Sequence, residues 1–114
     1  MLAPMEDFTD NAFRTLCYKY GADLTFTEMV RLEALAKKNI NAWSRIEIKD
    51  KTPTIIQLLG SDETYLKEFL NNFSPQDGFK GFNINCGCSD PSVIKLGYGC
   101  AMVNRISKLK AMTN

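Results

Sequence analysis

A parallel α/β fold is the architecture that this 114-residue chain predicts, on three observations. Short apolar segments suited to strands end near residues 5, 28, 58 and 85, at intervals of 23 to 30 residues. A segment with helical periodicity follows each one, and repeated strand-then-helix units build parallel sheets with right-handed crossovers. Polar and reactive side chains collect just past the strand ends, where proteins of this architecture place their ligands.

With 45% hydrophobic and 11% aromatic residues and 14 basic against 13 acidic side chains, the chain is globular rather than disordered or fibrous. Its length supplies one core, which can also be part of a larger fold. No apolar run approaches the roughly 20 residues of a membrane helix. Met1-Leu2-Ala3-Pro4-Met5-Glu6 lacks the marks of an export signal, so a cytoplasmic protein without a membrane partner is expected. The net charge of +1 argues against wholesale capture of nucleic acid. Residues 91–114 nevertheless hold Lys95, Arg105, Lys108 and Lys110 and no acid. That local excess suits either a solvated helix face or a phosphate-facing patch.

Histidine is absent, and cysteine occurs at positions 17, 86, 88 and 100. The chain therefore has no serine-type triad, no imidazole base and no mixed cysteine–histidine zinc site. Its thiols lack the paired spacing of an all-cysteine site, so no metal is expected. They do not suggest a disulfide framework either, given a good core composition and no export signal.

Taken in order, Ala3-Pro4-Met5 is the first strand end. From Asp10 to Tyr20, the residues Phe13, Leu16, Cys17 and Tyr20 recur at helical spacing, with Thr9 or Asp10 as cap and Gly21 as stop. Leu24 to Thr27 is β-prone and alternating, and it leads into Glu28-Met29. Arg31 to Asn39 predicts a helix; Arg45 to Asp50 suits a short polar strand or a turn-rich connection. Pro53 to Leu59 is an apolar run of the kind covered on both faces, interrupted by the amide of Gln57. Ser61-Asp62-Glu63 opens a helix whose buried stripe is Tyr65, Leu66, Phe69, Leu70 and Phe73. Phe79 to Asn85 is the next strand, followed by the loop Cys86-Gly87-Cys88-Ser89-Asp90-Pro91. Cys100 to about Met112 predicts the last helix.

One rim of such a sheet collects Met5, Glu28, Gln57, Asn85 and Cys88. Most of these have an ordinary use: Gln57 suits a loop backbone, Glu28 a pair with Arg14 or Arg31, and Asn85 a turn. Cys88 differs, because a loop beside a glycine and ahead of a helix is a setting that exposes a thiol and tunes its acidity. Cys17 and Cys100 fall within helical segments and are expected as small core residues. Gly97-Tyr98-Gly99 suits a glycine turn at a helix start, a weak phosphate signal.

The segments Leu2-Ala3-Pro4-Met5, Thr9-Asp10, Phe13-Arg14, Gly21-Ala22-Asp23, Thr27-Glu28-Met29, Gln57-Leu58-x-Gly60, Asn83-x-Asn85-x-Gly87-Cys88 and Gly97-x-Gly99 span nearly the whole chain. In order and spacing this set resembles the tRNA-dihydrouridine synthase family. The resemblance implies an FMN-binding (β/α)8 barrel of the TIM type followed by a helical tRNA-binding domain. It implies NADPH-dependent reduction of tRNA uridines to 5,6-dihydrouridine. By the same resemblance, Pro4, Met5 and Glu6 lie against the flavin, Gln57 hydrogen-bonds the isoalloxazine and Asn85 contacts the uracil. Cys88 then protonates C5 of the base while reduced flavin N5 gives hydride to C6.

A barrel of this kind takes roughly 250 residues. The expectation is therefore that residues 1–114 form its N-terminal part, about the first four βα units. On that expectation the C-terminal half barrel and the helical domain are absent, residues 1–114 alone are inactive, and the open strand edges invite self-association. Two departures stand out. The family has Gly-Cys-Pro where this chain has Gly87-Cys88-Ser89, with Pro91 two residues later. The family's fifth-strand lysine and its later flavin-phosphate loops have no counterpart. The alternatives are another FMN barrel of the dihydroorotate dehydrogenase kind and a non-catalytic half-barrel remnant; Thr9-Asp10-x-x-Phe13-Arg14 and Thr27-Glu28-Met29 favour the synthase.

Overall fold

The computed structural model describes residues 1–114. Its sheet is parallel throughout, as predicted, with strands β1 (Thr25–Phe26), β2 (Val30–Arg31), β3 (Thr54–Leu59) and β4 (Phe79–Ile84). β3 is central. On one side of it, β1 and β2 are two pieces of one interrupted strand, with Thr25 opposite Thr54 and Val30 opposite Leu58. β4 lies on the other side and has no strand on its outer edge. Spatial order thus follows chain order, as expected when each crossover returns the chain to the same sheet.

The first predicted strand is reduced to a single bridge between Leu2 and Thr25. Two causes are visible. Pro4 has no N–H to give a ladder, and Met5 is taken up by a turn: its N–H donates to Thr9 Oγ1 at 3.2 Å, while its carbonyl accepts from that hydroxyl at 2.9 Å.

β3 is buried along most of its length, which matches an apolar run covered on both faces. Between β3 and β4 the register slips by one residue: Thr54 faces Phe79, but Ile55 faces Gly81, so Lys80 is unpaired. Gly81 sits there at φ +136, a conformation glycine adopts without strain. Beyond this bulge Ile56 faces Phe82 and Gln57 faces Asn83.

Helices cover one face. α1 (Asn11–Lys19) is capped by Asp10, which accepts from Phe13 N at 2.8 Å. Its expected apolar stripe is not buried: Leu16 is 51% and Tyr20 86% exposed, and Phe13 is also exposed. Arg14 faces inward instead, 1% exposed, donating to Thr9 O at 2.7 Å and Glu47 O at 2.8 Å. The helical period located the helix but not its buried side, because two otherwise unpaired carbonyls draw the guanidinium in.

α2 (Leu32–Ala36) is shorter than the predicted 31–39 segment, and a further helix, α3 (Ile40–Arg45), follows it. Asn39 is the reason. Its Oδ1 accepts from Ala42 N at 3.0 Å, so it caps the next helix rather than closing the previous one. Residues 46–50 form a connection, not a strand. Side chains satisfy its backbone, with Gln76 Oε1 accepting from Ile48 N and Asn11 Oδ1 from Lys49 N.

α4 (Glu63–Asn72), capped by Asp62, carries Phe69 into the core, where it meets Trp43, Phe73 and Phe82 at ring-centroid distances of 5.4–5.6 Å. Leu66 is buried with it, whereas Leu70 of the predicted stripe is exposed. The predicted 100–112 helix is split into a 3-10 segment (Gly99–Asn104) and α6 (Ile106–Thr113), with the short α5 (Pro91–Lys95) ahead of them. Met102 and Met112 anchor the two halves in the core. Cys17 and Cys100, expected as core residues, are half-buried. No helix is long and apolar enough to cross a membrane.

Candidate active site

The polar residues of the rim are joined by hydrogen bonds that start in the Cys88 loop. Asn85 follows β4 directly, and its own N–H continues the ladder to Leu58 O at 2.8 Å. Its Oδ1 turns forward and accepts from Gly87 N at 3.1 Å and Cys88 N at 2.9 Å. Both acceptor sites of that oxygen are then filled, which determines how the amide is turned. Asn85 Nδ2 donates to Gln57 Oε1 at 3.2 Å and touches Met29 Sδ at 3.9 Å. Gln57 Nε2 in turn donates to Asn83 Oδ1 at 2.8 Å. The backbone N–H of Gln57 is taken by Thr27 Oγ1 at 3.0 Å, where β1 has stopped pairing.

The loop is held from behind as well. Cys100 N donates to Cys88 O at 2.9 Å. Gly99 lies so close that a Cβ on it would stand 2.4 Å from Cys88 O, and its φ is +57. The glycine-x-glycine segment therefore serves close packing against the Cys88 backbone and, at Gly97, beneath the Arg105 guanidinium. Gly99→Ala is expected to destabilise the protein by on the order of 2 kcal/mol, combining a left-handed alanine with a backbone clash. A urea midpoint equal to wild type would show that this contact does not hold the loop.

The displaced proline has a local explanation. Pro91 stands at the first position of α5, where its missing N–H costs nothing, and Asp90 caps the helix by accepting from Ser92 N at 2.8 Å. Hydrogen bonds from Ser92 hold the Asp90 carboxyl below its ordinary pKa.

Cys88 itself is half-buried and lines a cleft of about 450 Å³ with Glu6, Met29, Arg31, Asn39 and Arg45 among its walls. Cys86 is also half-buried but packs against the hydrophobic core, so the two loop thiols have different surroundings. Of the first-strand trio, Pro4 is half-buried, Met5 and Glu6 are exposed, and only Glu6 lines the cleft.

Glu28, 8% exposed, pairs with neither Arg14 nor Arg31. Its Oε2 accepts from Asp7 N at 3.0 Å and Arg45 Nη1 at 3.3 Å, tying the Met5–Thr9 turn to α3. The sequence pattern makes Asn39 and Arg45 the ends of neighbouring segments rather than site residues; with Asn39 as the cap of α3, Arg45 falls at the end of that helix beside the cleft.

Parallel strands, a chain of amides at their C-terminal ends and a thiol in the following loop define an α/β protein with its site on the strand-end rim. Comparison with known proteins gives this class a family. The profile of the dihydrouridine synthase (Dus) family matches residues 1–114. A probable tRNA-dihydrouridine synthase of Helicobacter pylori (strain J99) is 31% identical over 113 residues, 95% of this chain and 33% of the relative. One from Rhizobium leguminosarum is 33% identical over 103 residues, covering 90% of the chain and 32% of the relative. The tRNA-dihydrouridine synthase B of Vibrio cholerae is 31% identical over 104 residues, with 90% and 32% covered. The chain belongs to the dihydrouridine synthase family, and it spans about a third of the length of these relatives.

Proposed function

We propose that this chain is the N-terminal part of a cytoplasmic, flavin-dependent tRNA-dihydrouridine synthase, about four βα units of a (β/α)8 barrel. The single observation that carries this reading is the linkage of Gln57, Asn85 and the Cys88 loop by hydrogen bonds at the strand ends. These are the positions that the family resemblance assigns to flavin, uracil and proton donor. The parallel sheet in chain order supports the barrel, and the names of the relatives support the tRNA substrate.

The residues fit a flavin. Gln57 and Asn83 present amides on the same register row, and a flat ring with carbonyl oxygens is matched by such donors. Gln57 would hold the ring, with Pro4, Met5 and Glu6 along its side at the Met5–Thr9 turn. Bound FMN, reduced by NADPH, supplies the hydride for C6 of the uracil. The chain supplies the rest. Asn85 donates to the base, and Cys88 Sγ–H gives its proton to C5 as the C5–C6 double bond is lost. The resulting thiolate recovers a proton from water in the open cleft. A thiol is a competent acid near neutral pH, which suits a site without histidine. A uridine stacked in folded RNA has to be turned out to reach such a cleft, and the exposed Lys95, Arg105, Lys108 and Lys110 offer a local positive charge to phosphate, too small to hold the RNA alone.

Reconstitution with FMN, followed by NADPH and a tRNA transcript, tests the reading. A flavin spectrum and dihydrouridine in the product support it; a chain that never acquires bound FMN counts against autonomous catalysis. Gln57→Ala is expected to weaken FMN binding about tenfold, the worth of one or two hydrogen bonds. Unchanged flavin affinity in a titration would remove Gln57 from the flavin contact.

A further inference from the structure

We propose that Asn83 is a positioning residue: it receives the end of a one-directional amide chain that turns Gln57 and Asn85 so that each retains an N–H for a ring with carbonyl oxygens. The inference rests on the flavin and uracil reading above and adds a residue and a polarity to it.

The direction is imposed from the loop. Backbone N–H groups cannot be exchanged for acceptors, and two of them, from Gly87 and Cys88, point at Asn85 Oδ1. Nδ2 of Asn85 must then face Gln57, whose Oε1 accepts it, and Gln57 Nε2 must face Asn83 Oδ1. Turning any one amide over would set donor against donor or acceptor against acceptor. After these bonds Gln57 Nε2 keeps one hydrogen, and Asn85 Nδ2 keeps one whose only neighbour is the weak acceptor Met29 Sδ. Asn85 has no acceptor left. A uracil carbonyl satisfies its remaining donor. Asn83 comes to its position through the bulge, which puts it opposite Gln57.

The test reads the amides in the protein without added cofactor, by nuclear magnetic resonance of their side-chain N–H groups. Asn83→Asp keeps an acceptor and is expected to leave hydrogen exchange at Gln57 Nε2 within about twofold of wild type. Asn83→Leu removes the acceptor and is expected to raise it about tenfold, with FMN affinity falling by a similar factor. Equal exchange in wild type and Asn83→Leu would overturn the proposal. So would Asn83→Asp behaving like Asn83→Leu, because a reversed chain needs Asn83 Nδ2. A wild-type chain that binds no FMN counts against autonomous cofactor binding, while the exchange comparison still decides the positioning role. If Asn83→Leu does not fold, Gln57→Glu takes its place. The carboxylate introduced by that change meets an acceptor and forces Asn83 to turn over, so adding Asn83→Asp lowers the melting temperature by more than the two single shifts combined. Additive shifts would sink the idea.

Discussion

In a full-length synthase that contains these residues, as proposed above, Cys88→Ala is expected to keep flavin bound and to lower dihydrouridine formation by about 10²- to 10⁴-fold, the range over which positioned acids act. The expectation is clean because the backbone of Cys88 is held independently of its side chain. Asn85 Oδ1 fixes its N–H and Cys100 N its carbonyl. Alanine therefore removes the thiol and leaves the loop where it was. Gln57, the residue assigned to flavin, bonds to Asn85 and Asn83 and not to the thiol, so cofactor affinity should not follow the loss of activity. Cys88→Ser sharpens the comparison, since a hydroxyl occupies nearly the same place but is a far weaker acid. Product nucleosides measured by mass spectrometry, beside the flavin absorbance of each variant, provide the check. Wild-type turnover by Cys88→Ala would take Cys88 out of the chemistry.

Arg14→Met is the largest stability effect expected, a loss of about 3–5 kcal/mol. The side chain is 1% exposed and its charge is desolvated, which pulls its pKa below the usual arginine value against the opposing pull of Asp10, Asp50 and Glu28. Methionine has nearly the right length, so packing is largely kept. What is lost is the donor set: Thr9 O and Glu47 O become buried acceptors without partners. Since domains are commonly stable by only about 5–15 kcal/mol, such a loss approaches the whole margin. Thr9 also closes the turn that carries Met5 and Glu6, so the site should loosen as the protein weakens. Urea unfolding measures this directly; a change under about 1 kcal/mol would mean that water or a shifted backbone replaces the guanidinium.

The strands at 25–26, 54–59 and 79–84 and the parallel sense were legible in the sequence because they depend on local pattern, such as the apolar run at β3 and the cap at Asp62. Errors arose where a side chain answers a distant group. Arg14 is drawn inward by carbonyls at positions 9 and 47, Glu28 finds Arg45 rather than a nearer arginine, and Asn39 serves the helix after it. Ile46 and Ile48 alternate as a strand would, yet their segment is held by side chains from α1 and from the turn before β4. The nearness of Gln57, Asn85 and the Cys88 loop was legible in the spacing, and the hydrogen-bond circuit through them was not. Nothing in the spacing of Gln57, Asn83 and Asn85 says which end of each amide faces which neighbour.

A pleated strand counts in twos, and β4 miscounts once. Phe79 and Phe82 are three apart, an odd number, yet both reach the aromatic cluster around Phe73. The unpaired Lys80 absorbs the odd step and resets the parity for everything downstream. Were Lys80 instead to pair as in a regular strand, Phe82 would leave the face it shares with Phe79, and Asn83 and Asn85 would change sides with it. The bulge is thus a phase shifter between two messages written on one strand, a packing message before it and a chemical one after it.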